Sequence, residues 1–308
     1  MRKLNEKGNI AIILCLVVVS LFAFTAFVVD IGIVYVDKAQ LTDAIDSAAL
    51  ASSLELTQDS SKAYTVANDY LSKNNVQQGT SSVIIGSDKK SIQIKASKNI
   101  KYIFAPIIGI KEGNINCSTK AVIAPLKSVT GGIRPFAVEK YNYSYGDVVT
   151  LKNGAGSGYN GNYGALALGG TGANVFRNNT LYGYSGTVSV GDYISTEPGN
   201  MAGVISDISD YLSTEEVENF INSENSTVYN FPRNSIRLWT IPLVDSMQVN
   251  GREQVLVIGF AEFYVETVGK NAGKMEITGR FVRYVIKGKI DDTLSDTGAY
   301  GAKLTRDN

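Results

Sequence analysis

IAIILCLVVVSLFAFTAFVV, residues 10–29, is a run of twenty residues without a charge, in which only Ser20 and Thr25 are polar. At 1.5 Å per residue a helix of that length covers about 30 Å, the thickness of a bilayer's hydrocarbon core. The alternative is a fully buried core helix of a soluble protein, which seldom reaches such a length uncharged. The run is also longer and more apolar than the core of an ordinary secretory signal, and no A-x-A-like site follows it. It reads as an uncleaved signal anchor.

Charges on either side orient the anchor. Arg2, Lys3 and Lys7 precede it, whereas Asp30, Asp37, Asp43 and Asp46 follow with only Lys38 among them. Cytoplasmic flanks are the basic ones, so residues 1–9 are expected in the cytoplasm and the rest of the chain outside the cell membrane, crossed once. Asp30 stands where the chain leaves lipid, at a depth where a carboxylate can hydrate.

Beyond Asp30 only Gly32 interrupts a helical pattern that runs to about residue 56. Val34, Leu41, Ile45, Ala48 and Ser52 form one stripe at 3.6-residue spacing, and small residues (Ala39, Ala44, Ala48, Ala49, Ala51) recur. Such a helix is expected to pack closely on other helices and, with the membrane part, to make a rod of about 70 Å. A second helix is expected over 60–73. The period then changes to two: residues 82–85, a turn at Gly86-Ser-Asp-Lys and residues 91–96 read as a β-hairpin, and residues 114–123 as a further strand. Residues 102–110 form an apolar stretch interrupted by Pro106.

Residues 128–132 read as a linker, after which Gly, Tyr and Asn dominate. Short helices are expected over 203–212 and 213–222, the second with a Ser213/Glu216 capping box. Strands are expected over 235–241, 254–268 and 274–286, with Asn250-Gly251 as a tight turn between the first two. The tail from Asp291 is polar and expected to be loose. The fold class is therefore α+β. A long N-terminal transmembrane and extended helix leads into a small α+β module over 30–127. A β-rich extracytoplasmic domain follows over 128–290, then the tail over 291–308.

Composition excludes whole classes of chemistry. The chain has 308 residues, 29 basic and 29 acidic, a formal net charge of zero and no histidine. Neutrality offers no basic stripe for nucleic acid. Without histidine there is no Ser-His-Asp or Cys-His mechanism and no His-containing zinc site. Cys15 lies in the apolar run and Cys117 far beyond it, so the membrane should separate them. Gly156-Ser-Gly158-Tyr-Asn-Gly161 matches G-x-G-x-x-G literally but is followed by Asn162-Tyr-Gly164 rather than an apolar helix, so it reads as a loop. Glu262 and Glu266 share a strand face with Phe260 and Tyr264. They are the pair from which a carboxylate hydrolase could be built, although no second carboxylate across a cleft is identifiable. No catalytic, metal or cofactor-binding residue is assigned. The tyrosine-rich region could equally serve recognition of cell-wall glycan or a host ligand.

The N-terminal residues carry a recognisable order. Lys7-Gly8-Asn9-Ile-Ala, the apolar run, Asp30-x-Gly32-x-x-Tyr35, then Leu41-x-x-Ala44-x-Asp46-x-Ala48-Ala49-Leu50-Ala51 resembles the TadE/TadG-like Flp (Tad) pilus-assembly family, with Thr42 at the usual Gln and Ser47 at one usual Ala. Residues 102–125 also look like that family, as do, more loosely, residues 161–169 and 191–200. The resemblance implies a non-enzymatic pilus-assembly or minor pilin-like role, with lipid and other pilus-assembly proteins or pilins as partners. It implies no cofactor. Lys7-Gly8 before Asn9 is similar to a prepilin processing junction, but Ile13 stands where prepilins carry a glutamate.

Overall fold

The computed structural model describes residues 6–139, 144–152, 164–197, 204–216, 221–223, 226–228, 231–249, 251–271 and 274–305. It opens with one uninterrupted helix, α1 (Glu6–Ser53), of 48 residues, about 70 Å long. Gly32 does not break it. α2 (Ser60–Lys73) follows, its N-cap supplied by Asp59, whose carboxylate accepts the Ser61 N–H at 2.8 Å. Replacing Asp59 with Ala removes that acceptor, a loss of about 1 kcal/mol. Amide exchange in the first turn of α2 should accelerate about fivefold, and unchanged exchange would show that packing alone holds the helix.

β1 (Ser81–Ile85) and β2 (Ser91–Lys101) form the expected hairpin, with the Gly86 N–H donating to the Ser91 carbonyl. After a 3-10 turn (Ala105–Ile108), β3 (Glu112–Thr130) pairs antiparallel with β2, Lys101 opposite Glu112. Then come β4 (Val138–Glu139), β5 (Val148–Lys152), α3 (Ala173–Tyr182), β6 (Thr187–Ser189), β7 (Tyr193–Ser195), α4 (Ile205–Leu212), β8 (Ile221–Ser223) and β9 (Ser226–Val228). The chain ends with β10 (Leu238–Val244), β11 (Gln254–Asn271), β12 (Lys274–Val282), β13 (Tyr284–Val285), β14 (Lys289–Ile290) and β15 (Ala299–Thr305). Among the described residues one sheet has the order β1-β2-β3-β15-β13, with β6 and β14 also on β3. A second has the order β4-β10-β11-β12-β5, with β7 on β11, and β8 pairs with β9. The molecule is α+β.

Among the described residues the apolar side chains gather in four cores, of which three join the long helix and the two sheets. Under α1, Leu41, Ile45, Ala48 and Ala49 pack with Ala63, Ala67 and Leu71 of α2 and with Ile92, Ile94 and Ile123 of the first sheet. Between the sheets, Leu126 and Val129 share a core with Phe260 and Ala299. On the outer face of the second sheet, Trp239, Phe263 and Phe281 pack with Phe176 of α3 and Ile205 and Ile208 of α4. There Trp239 stacks on Phe136 at 5.4 Å, and Phe176 meets Phe136 edge-on.

Several expectations change. The tail from Asp291 is not loose where it is described. β15 pairs with β3 over Tyr300–Thr305, and its buried side chains anchor it: Ala299 in the core between the sheets and Tyr300 in the core under α1. No linker separates two domains at 128–132: β3 runs through Pro125 to Thr130, and Ser128–Thr130 pair with β6. The expected helix over 213–222 is absent from its described residues. Ser213 instead caps the end of α4, its hydroxyl donating to the Asp210 carbonyl, and residues 221–223 are strand. Helix α3 forms in a stretch for which the sequence reading assigned no element.

Candidate functional site: the membrane exit of the long helix

The segment over residues 10–29 is bare. Its helix passes the length and hydropathy needed to cross a membrane, and none of its most apolar window is covered by the rest of the chain. A soluble core helix would be buried. These side chains, Ile10, Leu14, Phe22, Phe24 and Phe27 among them, are exposed, as those of a membrane anchor are when no lipid surrounds them.

Below that segment the same helix changes role. Leu41, Ala44, Ala48 and Ala49 are buried and Asp46 is half-buried. Small residues there let the helix lie close to α2 and to the first sheet. The surface expected to meet other helices is thus largely covered by the chain's own fold.

Asp30 stands at the boundary and is buried. Its carboxylate accepts the N–H groups of Ile103 at 2.8 Å, Phe104 at 3.1 Å and Ala105 at 2.7 Å. These are the free donors that open the 3-10 turn, so Asp30 acts as a cap supplied from a residue more than seventy positions away. A carboxylate near lipid that takes three N–H donors is neither unpaired nor dependent on water. Sequence reasoning favoured Asp30 as an interfacial residue, with a contact to a cation on a neighbouring helix as the alternative. The clue it lacked was that Pro106 starts a turn whose donors need an acceptor.

Gly32 and Tyr35 complete the exit. A Cβ built on Gly32 would meet nothing within 4 Å, so no contact in this chain requires a glycine. Tyr35 is 75% exposed and lies about 7.5 Å along the axis from Asp30. That is headgroup depth, where an amphipathic ring is favoured. Gly8 and Asn9 lie in the first turn of α1, where side chains 6–9 are outside the described residues.

At the other end of α1 a second joint forms that the sequence did not reveal. The Glu55 carboxylate accepts from Arg233 at 2.8 Å and pairs with Lys62 at 3.1 Å, while Arg233 also donates to the Leu54 carbonyl at 2.7 Å. Burial raises the Glu55 pKa, but Arg233 and then Lys62 outweigh it and hold the carboxyl below its ordinary value. The ring of Tyr284 lies 5.1 Å from the Arg233 guanidinium. This ties the end of the long helix to the second sheet's flank.

The two strand carboxylates do not face one cleft. Glu262 is enclosed on β11, opposite Thr240, whose hydroxyl donates to it at 2.8 Å. Burial pushes its carboxyl up to about 8, against the pull of that hydrogen bond. Glu266 sits at a register shift in β11 and accepts from Arg280 at 2.6 Å. Gly156–Gly161 lies outside the described residues. So does Asn250, while its neighbour Gly251 adopts a left-handed φ of 69°.

Comparison with known proteins finds a similarity at the long helix. Residues 8–53 match the Tad family model, described as "Putative Flp pilus-assembly TadE/G-like". The match spans the bare segment, the Asp30/Gly32/Tyr35 exit and the buried alanine stretch, and ends with α1. No curated protein and no solved structure matches the chain.

Proposed function

Taking α1 as a TadE/G-like helix, we propose that this protein is a non-enzymatic component of a Tad (Flp) pilus-assembly system. It crosses the cell membrane once, with its N-terminus in the cytoplasm and its two-sheet body outside. The observation that carries this reading is the division of one helix into two solvents. Its first half is apolar and uncovered, its second half is the core of a folded module, and a single family match covers both. The asymmetry of flanking charge supports the orientation. In this reading the anchor contacts pilins or other assembly proteins in the plane of the membrane, and the body presents strands β4 to β12 to partners outside.

The direct test separates sheared pili from membranes and follows the protein by mass and by its N-terminal residue. Recovery with either fraction, together with pilin or assembly proteins after cross-linking, supports the reading. Cross-linking that recovers lipid alone counts against it, and a soluble cytosolic protein ends it. Chains beginning at Asn9 would establish processing after Gly8.

Gly32 supplies a sharper variant. Because nothing in the chain occupies the space beside it, Gly32→Leu should leave the isolated protein's helicity and melting unchanged. Where a partner helix approaches at that point, the same change should reduce assembled pili by about tenfold or more, equivalent to about 1.4 kcal/mol of lost packing. Normal piliation would remove Gly32 from the partner contact.

A further inference from the structure

We propose that the loop over residues 102–111 is a second membrane contact, seated shallowly in the same leaflet that α1 leaves; this rests on the membrane reading of α1. The β2–β3 hairpin runs alongside α1 toward the lipid. Cys117 Sγ lies 4.0 Å from the Lys38 carbonyl oxygen and Lys98 pairs with Asp37 at 2.7 Å. Nearer the tip, Ile103, Phe104 and Ala105 donate to Asp30. Successive residues toward the hairpin's tip thus meet successively earlier residues of the helix. The tie at Asp30 fixes the loop at the level where the uncharged run begins.

The residues past that tie form the tip. Ile107 and Ile108 are 84% and 77% exposed, and Ile103 and Ile110 beside them are also exposed. The backbone, by contrast, is closed and rigid. The Ile107 and Gly109 N–H groups return to the carbonyls of Phe104 and Pro106, Ile110 donates to Ala105, and Tyr102 donates to Lys111. Gly109 adopts φ 87°, which lets the chain turn back. A loop whose backbone donors are paired while its isoleucines are exposed can enter the shallow part of a leaflet without stranding those donors.

Phe27 and Ile31 of α1, within one turn of Asp30, are exposed at the same level. Lys101 and Lys111 flank the tip at the hairpin's base, at the height where ammonium groups meet lipid phosphates. A lipid surface accounts for the isoleucines, the lysines and the tie at once. It also gives Asp30 a task, which is to hold the two membrane-contacting elements in register.

The test uses the full-length protein in proteoliposomes, with Cys15→Ser and Cys117→Ser and one new cysteine carrying an environment-sensitive fluorophore. Ile107→Cys should show blue-shifted emission and quenching by lipids brominated near the headgroup. Ile84→Cys, exposed at the other end of the same module, should be quenched at least fivefold less. Val19→Cys, at the middle of the apolar run, reports on the anchor through lipids brominated near the ends of the acyl chains. If Val19 is quenched and Ile107 is not, the loop proposal fails while the anchor stands. If neither is quenched, the membrane reading itself fails. Blue-shifted Ile107 emission without lipid quenching would mean that a protein surface, such as a second copy, covers the loop, and would also overturn the proposal. In the same protein Asp30→Ala should at least halve the quenching at Ile107 while leaving Val19 unchanged; undiminished quenching would overturn the role given to Asp30.

Discussion

Replacing Glu262 with Gln should flatten the protein's stability between pH 5 and pH 8 and make it more stable than the wild type at pH 8.5. The carboxyl is enclosed and takes one hydrogen bond from Thr240, and burial pushes its pKa up to about 8 in the fold from an ordinary 4.5. In the window between those values the folded state keeps a proton that the unfolded state has lost. The stability this confers is full below about 4.5, falls by about 1.4 kcal/mol per pH unit through the window, and is gone above about 8. Gln keeps the acceptor for Thr240 and has no proton to lose. The advantage of Glu262→Gln at pH 8.5 should therefore be about 2 kcal/mol or more. Three acids with lowered values do not confuse the window. Glu55 and Asp296 sit below their ordinary values, and Asp291 is held down at about 2. What they contribute is lost only as pH falls through their lowered values. The chain has no histidine. Trp239, the only tryptophan and fully buried beside this pair, reports unfolding by fluorescence. Parallel stability–pH curves for the two proteins would show that Glu262 is ionised in the fold.

Arg237→Met should cost more, about 3–5 kcal/mol, measured as a shift in denaturant midpoint at constant slope. The guanidinium is buried. Its Nε donates to the Glu215 carbonyl at 2.9 Å. Nη2 donates to Leu212 at 2.6 Å and Glu215 at 2.7 Å, and Nη1 to Val265 at 3.3 Å and Glu266 at 3.2 Å. Leu212 ends α4, so the cation also faces the negative end of that helix. Val265 and Glu266 lie at the register shift in β11, where the ladder with β12 leaves carbonyls to satisfy. Met fills the volume but leaves those acceptors buried and unpaired. Arg237→Lys should recover little, since an ammonium cannot span the same fork of carbonyls. A loss below 1 kcal/mol would mean that water replaces the guanidinium.

Both predictions concern residues that local pattern did not single out for these roles. Arg237 sat in a predicted strand as an ordinary surface charge. Its partners come from residues 212, 215, 265 and 266, and only the packing of α4 on β11 brings them together. Glu262 and Glu266 looked like a pair because alternation puts them on one face. The register shift before Thr267 and the overlying first sheet gave one a closed pocket and the other an arginine. The same limit explains the tail. From Asp291 onward polarity argues for disorder, but Ala299 reaches the core between the sheets and Tyr300 the core under α1, and together they draw the strand in.

What the sequence determined by itself is whatever depends on near neighbours. Twenty uncharged residues require a lipid-like solvent whatever else the chain does. The 3.6 and 2.0 periodicities are read within one element, and they marked the long helix, α2 and the first hairpin. Only the tertiary structure decided how residues far apart share one task. Asp30 became the cap of a loop at 103–105, β3 became the spine of a sheet that the chain's last strand completes, and Glu55 found Arg233. Each is a contact across seventy residues or more, where closing the chain costs entropy that no local propensity records, and where the energy that repays it appears only once both surfaces are buried.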